Sequence, residues 1–257
     1  MPTGTLVAFA KAVTAGSIRV IDLTQPLSSE TPTIVLPPEF GQASGFVLEE
    51  ISRYDARGVA WYWNNFTVGE HTGTHFDAPI HWVTGQNLAS VDRVPPKDFI
   101  APAVVIDASA DCAADPDFVL TPKHIESWEA KHGRIPAGSW VLFRTDWSKR
   151  QGEAYTSRRE DGAHTPGPSA DAIRMLVDGR DVIGFGVETI GTDAGQAHLF
   201  DPPYPAHTLL HGAGKYGLQC LENLDQLPAT GAVIVATPLK IKGGSGSPLR
   251  VLALLEA

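Results

Sequence analysis

Between positions 71 and 81 the chain places three histidines and an aspartate: His71, His75, Asp77 and His81. Imidazole nitrogens and carboxylate oxygens are the donors that borderline divalent ions prefer. His71, His75 and Asp77 therefore form a candidate metal set. Three protein ligands leave coordination positions open for water and substrate, the pattern of a catalytic metal. His81, two residues beyond Pro79, is a fourth ligand or an acid/base beside the ion. Thr72, Gly73, Thr74, Ala78 and Pro79 break any helix, so the stretch reads as an irregular loop folding its ligands onto one point.

Other elements must hold that loop in place. Residues 61–68 alternate as a strand running straight into it. Trp61 and Trp63 would then share a face, and with Trp82 they are expected to wall a flat aromatic pocket beside the metal. Further strands are expected at 19–24, 46–52, 104–107, 140–145, 181–187, 232–236 and 249–254. A surface helix is expected at 6–13. A second follows Thr121 as N-cap and Pro122 as the first helical residue, and a third runs from a Ser169 cap to Val177. Strands outnumber helices, and strand–helix alternation is confined to the middle of the chain. The expected fold is α/β: one domain over residues 1–257, with a mixed, barrel-like sheet and peripheral helices. Residues 153–168 read as a polar loop, a lid or an oligomer contact. Gly184 to Gly186 and the glycines of 243–248 lack the endings of nucleotide-binding loops and read as structural.

Composition narrows the partners. The 257 residues carry a formal charge of −9 with no basic run, which argues against nucleic acid and anionic membrane. Cys112 and Cys220 stand 108 positions apart and form neither a disulfide framework nor a CxxC site, which suits a reducing cytoplasm. Lys11 interrupts the apolar stretch near the start, which does not read as a signal peptide.

The pattern His71-x-Gly73-Thr74-His75-x-Asp77-x-Pro79-x-His81 resembles the signature of the cyclase, or kynurenine-formamidase-like, family of metal-dependent hydrolases. Residues 20–27 resemble that family's opening strand and loop, and residues 186–193 its Gly-Ile-Asp-Thr segment. Pro205 to His207, Glu222 to Leu224, Pro238 to Lys240 and Gly246 to Pro248 resemble its C-terminal landmarks. The resemblance implies a swivelling β/β/α-type fold, a divalent metal and hydrolysis of an amide or related bond. It makes His71, His75 and Asp77 ligands, His81 the acid/base, and His207 the histidine that serves a second metal in the formamidases. Those enzymes carry a glutamate twelve residues after that histidine, where this chain has Gln219. A neutral amide is the weaker ligand, which leaves Gln219 a candidate only. Residues 209–220 resemble the isatin-hydrolysing branch, which implies one manganese ion, with zinc as the alternative, and a homodimer or higher oligomer.

The chemistry also follows without the family. Metal-activated water with His81 as proton carrier would hydrolyse an amide, and the resemblance implies that this amide is small, aromatic and cyclic, as in the opening of isatin to isatinate. The tryptophans agree with a bicyclic substrate. His207 and Gln219 are candidates for binding the metal, the departing group or the oxyanion. His211 reads as structural or supporting, Glu222 as structural, and His124, His132, His164 and His198 as isolated. The competing readings are an arylformamidase acting on N-formylkynurenine, a non-haem iron oxygenase built on His75 and Asp77, and a non-enzymatic metal-binding protein.

Overall fold

The computed structural model describes residues 4–257. Among these residues fourteen strands follow in chain order. β1 (Ile18–Asp22) precedes a long ribbon of β2 (Val47–Asp55) and β3 (Gly58–Thr67). β4 (His75–Asp77), β5 (Ile100–Asp107), β6 (Val119–Leu120) and β7 (Trp140–Arg144) come next. β8 (Arg158–Arg159), β9 (Gly162–Ala163) and β10 (Gly167–Pro168) are two-residue pieces. β11 (Gly184–Val187), β12 (Tyr216–Gln219), β13 (Ala232–Pro238) and β14 (Gly246–Glu256) complete the set. The helices are α1 (Thr5–Thr14), α2 (Ser109–Ala114), α3 (Pro122–His132), α4 (Glu153–Thr156) and α5 (Ala170–Arg180).

Seven strands close into a barrel in the order β14, β13, β5, β7, β11, β12, β4 and back to β14, while β1 lies beyond β14. β5, β7, β11 and β12 run parallel, and the other ladders are antiparallel. This is the mixed, barrel-like α/β architecture expected from the sequence. The parallel strands are largely buried, and β7 is a nearly continuous apolar run. On β7, Trp140 and Leu142 point into the barrel, while Val141 and Phe143 pack outward with Ile125 of α3 and Ile173 and Leu176 of α5. No helix among the described residues is long and apolar enough to cross a membrane.

Three expectations need correction. The histidine motif is not wholly a loop, because residues 75–77 are a strand that closes the barrel. Asp77 lies opposite Gly217 of β12 on one side and Gly246 of β14 on the other. Residues 153–168 form α4 and three short strands, and the Tyr155 hydroxyl, buried, donates to the Glu188 carbonyl at 2.9 Å. His164 is not isolated: Asp117 and Asp161 hold its two ring nitrogens at 2.7 and 3.0 Å.

The closing strand depends on a close approach. A Cβ on Gly246 would lie 2.4 Å from the Phe76 carbonyl oxygen and 2.5 Å from the His71 ring. Both neighbours belong to the barrel seam or the site, and backbone cannot step aside. Gly246→Ala is therefore expected to lose about 1–3 kcal/mol in urea denaturation. Gly41→Ala, where a Cβ meets nothing within 4 Å, is the control expected to stay unchanged.

Candidate metal centre with a histidine acid/base

Alternation along β4 sets the site. Phe76 points into the barrel core, so His75 and Asp77 project from the opposite face. Gly73, with φ +64°, turns the chain so that its carbonyl meets His75 Nδ1 at 2.7 Å. A carbonyl can only accept, so Nδ1 carries the proton and Nε2 keeps its lone pair. That Nε2 is buried, has no hydrogen-bond partner, and lies 3.3 Å from Asp77 Oδ1.

His71 approaches the same oxygen, its Nδ1 2.8 Å from Asp77 Oδ1. Its Nε2 is 2.7 Å from the Ser245 hydroxyl, which donates to Glu70 Oε2 at 2.7 Å. Ser245 therefore accepts from His71 Nε2, leaving the Nδ1 lone pair facing a carboxylate oxygen. Two acceptors at that separation call for a positive charge between or upon them. The bare Nε2 of His75 and this facing pair are what a divalent cation's donor set presents, so the residues fit a metal.

After Pro79 a single 3₁₀ turn, closed by the His81 N–H donating to the Ala78 carbonyl at 2.9 Å, carries His81 back over the site. Its ring stacks on His71 at 3.8 Å between centroids. From the other side comes a π-helical turn, His207–His211. It places His207 5.6 Å and His211 5.9 Å from the His81 ring. Ligand atoms of His71, Asp77 and His81 lie within 4.8 Å of one another, as do those of Asp77, His207 and His211. Asp77 is common to both groups.

Gln219 is placed differently from a ligand. Its amide nitrogen donates to Asp77 Oδ2 at 2.5 Å, and its oxygen accepts the Gly191 N–H at 2.7 Å. Both ends are engaged, so it orients the carboxylate instead of offering a free donor atom. Glu222 belongs to neither group of metal-capable side chains. Of the three tryptophans, Trp82 lies in the site, 4.7 Å from His207 and with its indole N–H donating to the Thr208 hydroxyl. Trp61 and Trp63 do share a face, as expected, but they stand half-exposed on the β2–β3 ribbon. They do not wall this pocket from within their own chain as the sequence suggested.

Two supporting groups escaped the sequence reading. Asp193, buried, accepts from the N–H groups of Ala206 and His207 and meets His207 Nδ1 at 2.6 Å. It fixes the ring so that Nε2 turns toward the site. The other is the Glu70–Ser245 pair behind His71. Asp193 closes the 186–193 segment that resembles the family and Ser245 lies in the glycine-rich 243–248 stretch, but residue type alone assigned neither a role.

The charges divide the histidines by role. Burial pushes His81 down to about 3; the Asp77 charge opposes this, and His71, His207 and His211 add to it. Burial likewise takes His211 down to about 4, with the His207 charge assisting. Burial would also lower His207, but the Asp193 hydrogen bond and charge outweigh it and raise the imidazole above its ordinary value. Asp77 is opposed by burial yet held well below the usual carboxylate range by the imidazoles of His75 and His71 gathered around it. At neutral pH the site thus holds a neutral base, His81, beside a permanent anion.

A consequence for stability follows. His81 and His211 bind a proton less readily folded than unfolded. Their contribution is complete above the ordinary value of 6.5 and is lost as the pH falls toward about 3 and 4. His207 has the opposite sign, so its contribution is fully present below 6.5 and does not offset the loss. Metal-free protein should lose up to about 1.4 kcal/mol per pH unit per histidine below that point. A thermal-unfolding series from pH 7 to pH 5 reads it, and a flat profile would contradict the buried neutral pair.

Comparison with known proteins agrees with this geometry. The Cyclase family profile matches residues 21–194. The chain is 49% identical over 246 residues to isatin hydrolase from Roseibium aggregatum, covering 94% of this chain and 93% of that one. The solved structure of isatin hydrolase A from Ralstonia solanacearum superposes with a TM-score of 0.97 at 61% identity, covering 100% of this chain and 98% of that one. An isatin hydrolase bound to the product analogue thioisatinate superposes at 0.96 with 46% identity, covering 98% of each.

Proposed function

The chain belongs to the Cyclase family, and from that premise we propose that it hydrolyses the ring amide of isatin to isatinate. The observation that carries this reading is the bare, buried Nε2 of His75 beside Asp77, with neutral His81 stacked over His71. The similarity to isatin hydrolases over nearly the whole chain supports the substrate. Residues 1–257 are read as one catalytic domain, working in the cytoplasm as a homodimer or higher homo-oligomer.

His71, His75 and Asp77 would hold one divalent ion, manganese by preference and zinc as the alternative. When bound, that ion polarises the substrate carbonyl and lowers the pKa of water. Gln219 keeps Asp77 in place from behind. A neutral amide at this position, already committed to Asp77 and Gly191, favours one ion over two. His81 takes a proton from the attacking water as its oxygen bonds to the ring amide carbon. It then delivers that proton to the ring nitrogen as the carbon–nitrogen bond breaks. The product is an aromatic amine, with a carboxylic acid that releases its own proton at neutral pH. His207, held by Asp193 with its proton affinity raised, offers a hydrogen bond to the developing oxyanion or the new carboxylate. Trp82 lies beside it as an aromatic wall.

The rival substrate is an aryl formamide such as N-formylkynurenine. Purified protein assayed on both should show kcat/KM for isatin at least about a hundredfold higher, a difference near 3 kcal/mol in transition-state binding. A preference for the formamide would reverse the assignment while leaving the metal centre intact.

A further inference from the structure

The glycine-rich stretch 243–248 is drawn against the metal set by a series of backbone contacts. The Gly243 N–H donates to Asp92 Oδ1 at 2.9 Å. The Val91 N–H donates to the Gly244 carbonyl, and the Ala78 N–H to the Ser245 carbonyl, each at 2.9 Å. Glycine permits the close approach: a Cβ on Gly244 would lie 2.7 Å from Glu70 Oε1, and one on Gly246 2.5 Å from the His71 ring. The result is that Ser245, half-buried, links Glu70 to His71.

Ser245 has one hydroxyl proton, and two neighbours compete for it. Glu70 Oε2 stands 2.7 Å from Ser245 Oγ and also accepts the Ser245 N–H at 3.0 Å. His71 Nε2 stands 2.7 Å from the same Oγ. If the hydroxyl donates to Glu70, Oγ accepts from His71 Nε2–H, and His71 Nδ1 keeps its lone pair for a cation. If it donates to His71 Nε2, the neutral ring must carry its proton on Nδ1, which then donates to Asp77 Oδ1 at 2.8 Å. That second tautomer closes the site, because one hydrogen bond occupies a lone pair of His71 and another of Asp77. A hydrogen bond to a carboxylate is about twice as strong as one between neutral groups. Asp77 alone would therefore favour the closed form. With Glu70 present, each tautomer sends one proton to a carboxylate, the advantage cancels, and an arriving cation tips the balance.

We propose that Glu70, acting through the Ser245 hydroxyl, is a positioning residue for the metal: it holds His71 in the tautomer whose Nδ1 is free to bind a divalent cation. The same path strengthens the ligand. The Glu70 charge polarises the hydroxyl, the hydroxyl draws on the Nε2 proton, and Nδ1 becomes the better donor. The inference rests on His71, His75 and Asp77 as the metal set and is independent of the substrate.

Manganese titration, followed by the electron paramagnetic resonance of the free ion, tests this without turnover. Ser245→Ala and Glu70→Ala should each raise the Kd for manganese at least about tenfold. The double variant should bind no more weakly than Ser245→Ala alone, because Glu70 then has no hydroxyl to act through. A Glu70 that only ties down the loop through the Ser245 N–H would cost its full share again in the Ser245→Ala background. If Glu70→Ala fails to fold, Glu70→Gln decides. Its amide oxygen still accepts the Ser245 N–H but the charge is gone, so Kd should rise at least about threefold, and only where Ser245 is present. At saturating manganese the single variants should turn over isatin within about threefold of the intact kcat. Unchanged affinity in Ser245→Ala, or additive losses in the double variant, overturns the proposal. So does a kcat that stays at least about tenfold low in fully loaded protein, which would place the pair in the chemistry. If intact protein binds no manganese, the metal set and this inference fall together. If it binds manganese and opens no isatin, only the substrate reading falls.

Discussion

His81→Ala is expected to lower kcat on isatin by about 10²–10⁴-fold, the range lost with a positioned proton carrier, while bound metal stays near one ion per chain. The structure separates the two properties. His81 sits on a 3₁₀ turn beyond the barrel seam and makes its closest approach to His71 by stacking. His75 is oriented by Gly73, and Asp77 by Gln219, without its help. Burial keeps the imidazole neutral over the working pH range, which leaves its lone pair free while lowering its affinity for a proton. Alanine removes the carrier and leaves the donor set. A stopped assay for rate and elemental analysis for metal, on one preparation, separate the outcomes. Equal turnover would remove His81 as acid/base, and lost metal would make it a ligand.

Asp77→Asn is expected to cost more, abolishing measurable turnover and weakening metal binding by at least about a hundredfold. Asp77 is fully buried and gathers His71, His75 and Gln219 around one carboxylate. An asparagine of the same size presents one NH₂ group to these neighbours. Turned toward Gln219, that group meets another donor; turned toward His71 and His75, it occupies the lone pairs that a cation needs. Removing one member of a buried, charge-assisted cluster costs several kcal/mol as an order of magnitude. Metal titration and urea denaturation of the variant read the two effects separately. Wild-type affinity in this variant would mean that the cation binds elsewhere.

Particular residues show how far the sequence carried. His71, His75, Asp77 and His81 were legible because metal donors rarely crowd into so short a stretch by solvation alone. The strand at 75–77 was not, since threonine, glycine and proline surround it and three residues show no periodicity. Its extended form comes from β12 and β14, which lie far along the chain. Asp193 and Ser245 were missed for a related reason. Their partners, His207 and His71, are 14 and 174 positions away, and no local pattern announces such pairs. β12 itself carries glycine and glutamine among its four residues, which masks a central strand. The β2–β3 ribbon misled in the opposite direction. Alternating tryptophans read the same whether a strand is half-buried in its own core or waiting for another surface, and only the observed exposure tells the two apart.

The central claim is metal-dependent opening of the isatin ring, and the most direct measurement is the loss of isatin absorbance with purified, manganese-loaded protein beside a chelated sample. Rapid loss is expected in the loaded sample with isatinate as the product, none after chelation, and recovery when manganese returns. Undiminished turnover after complete removal of the metal, or no turnover in fully loaded protein, would contradict it.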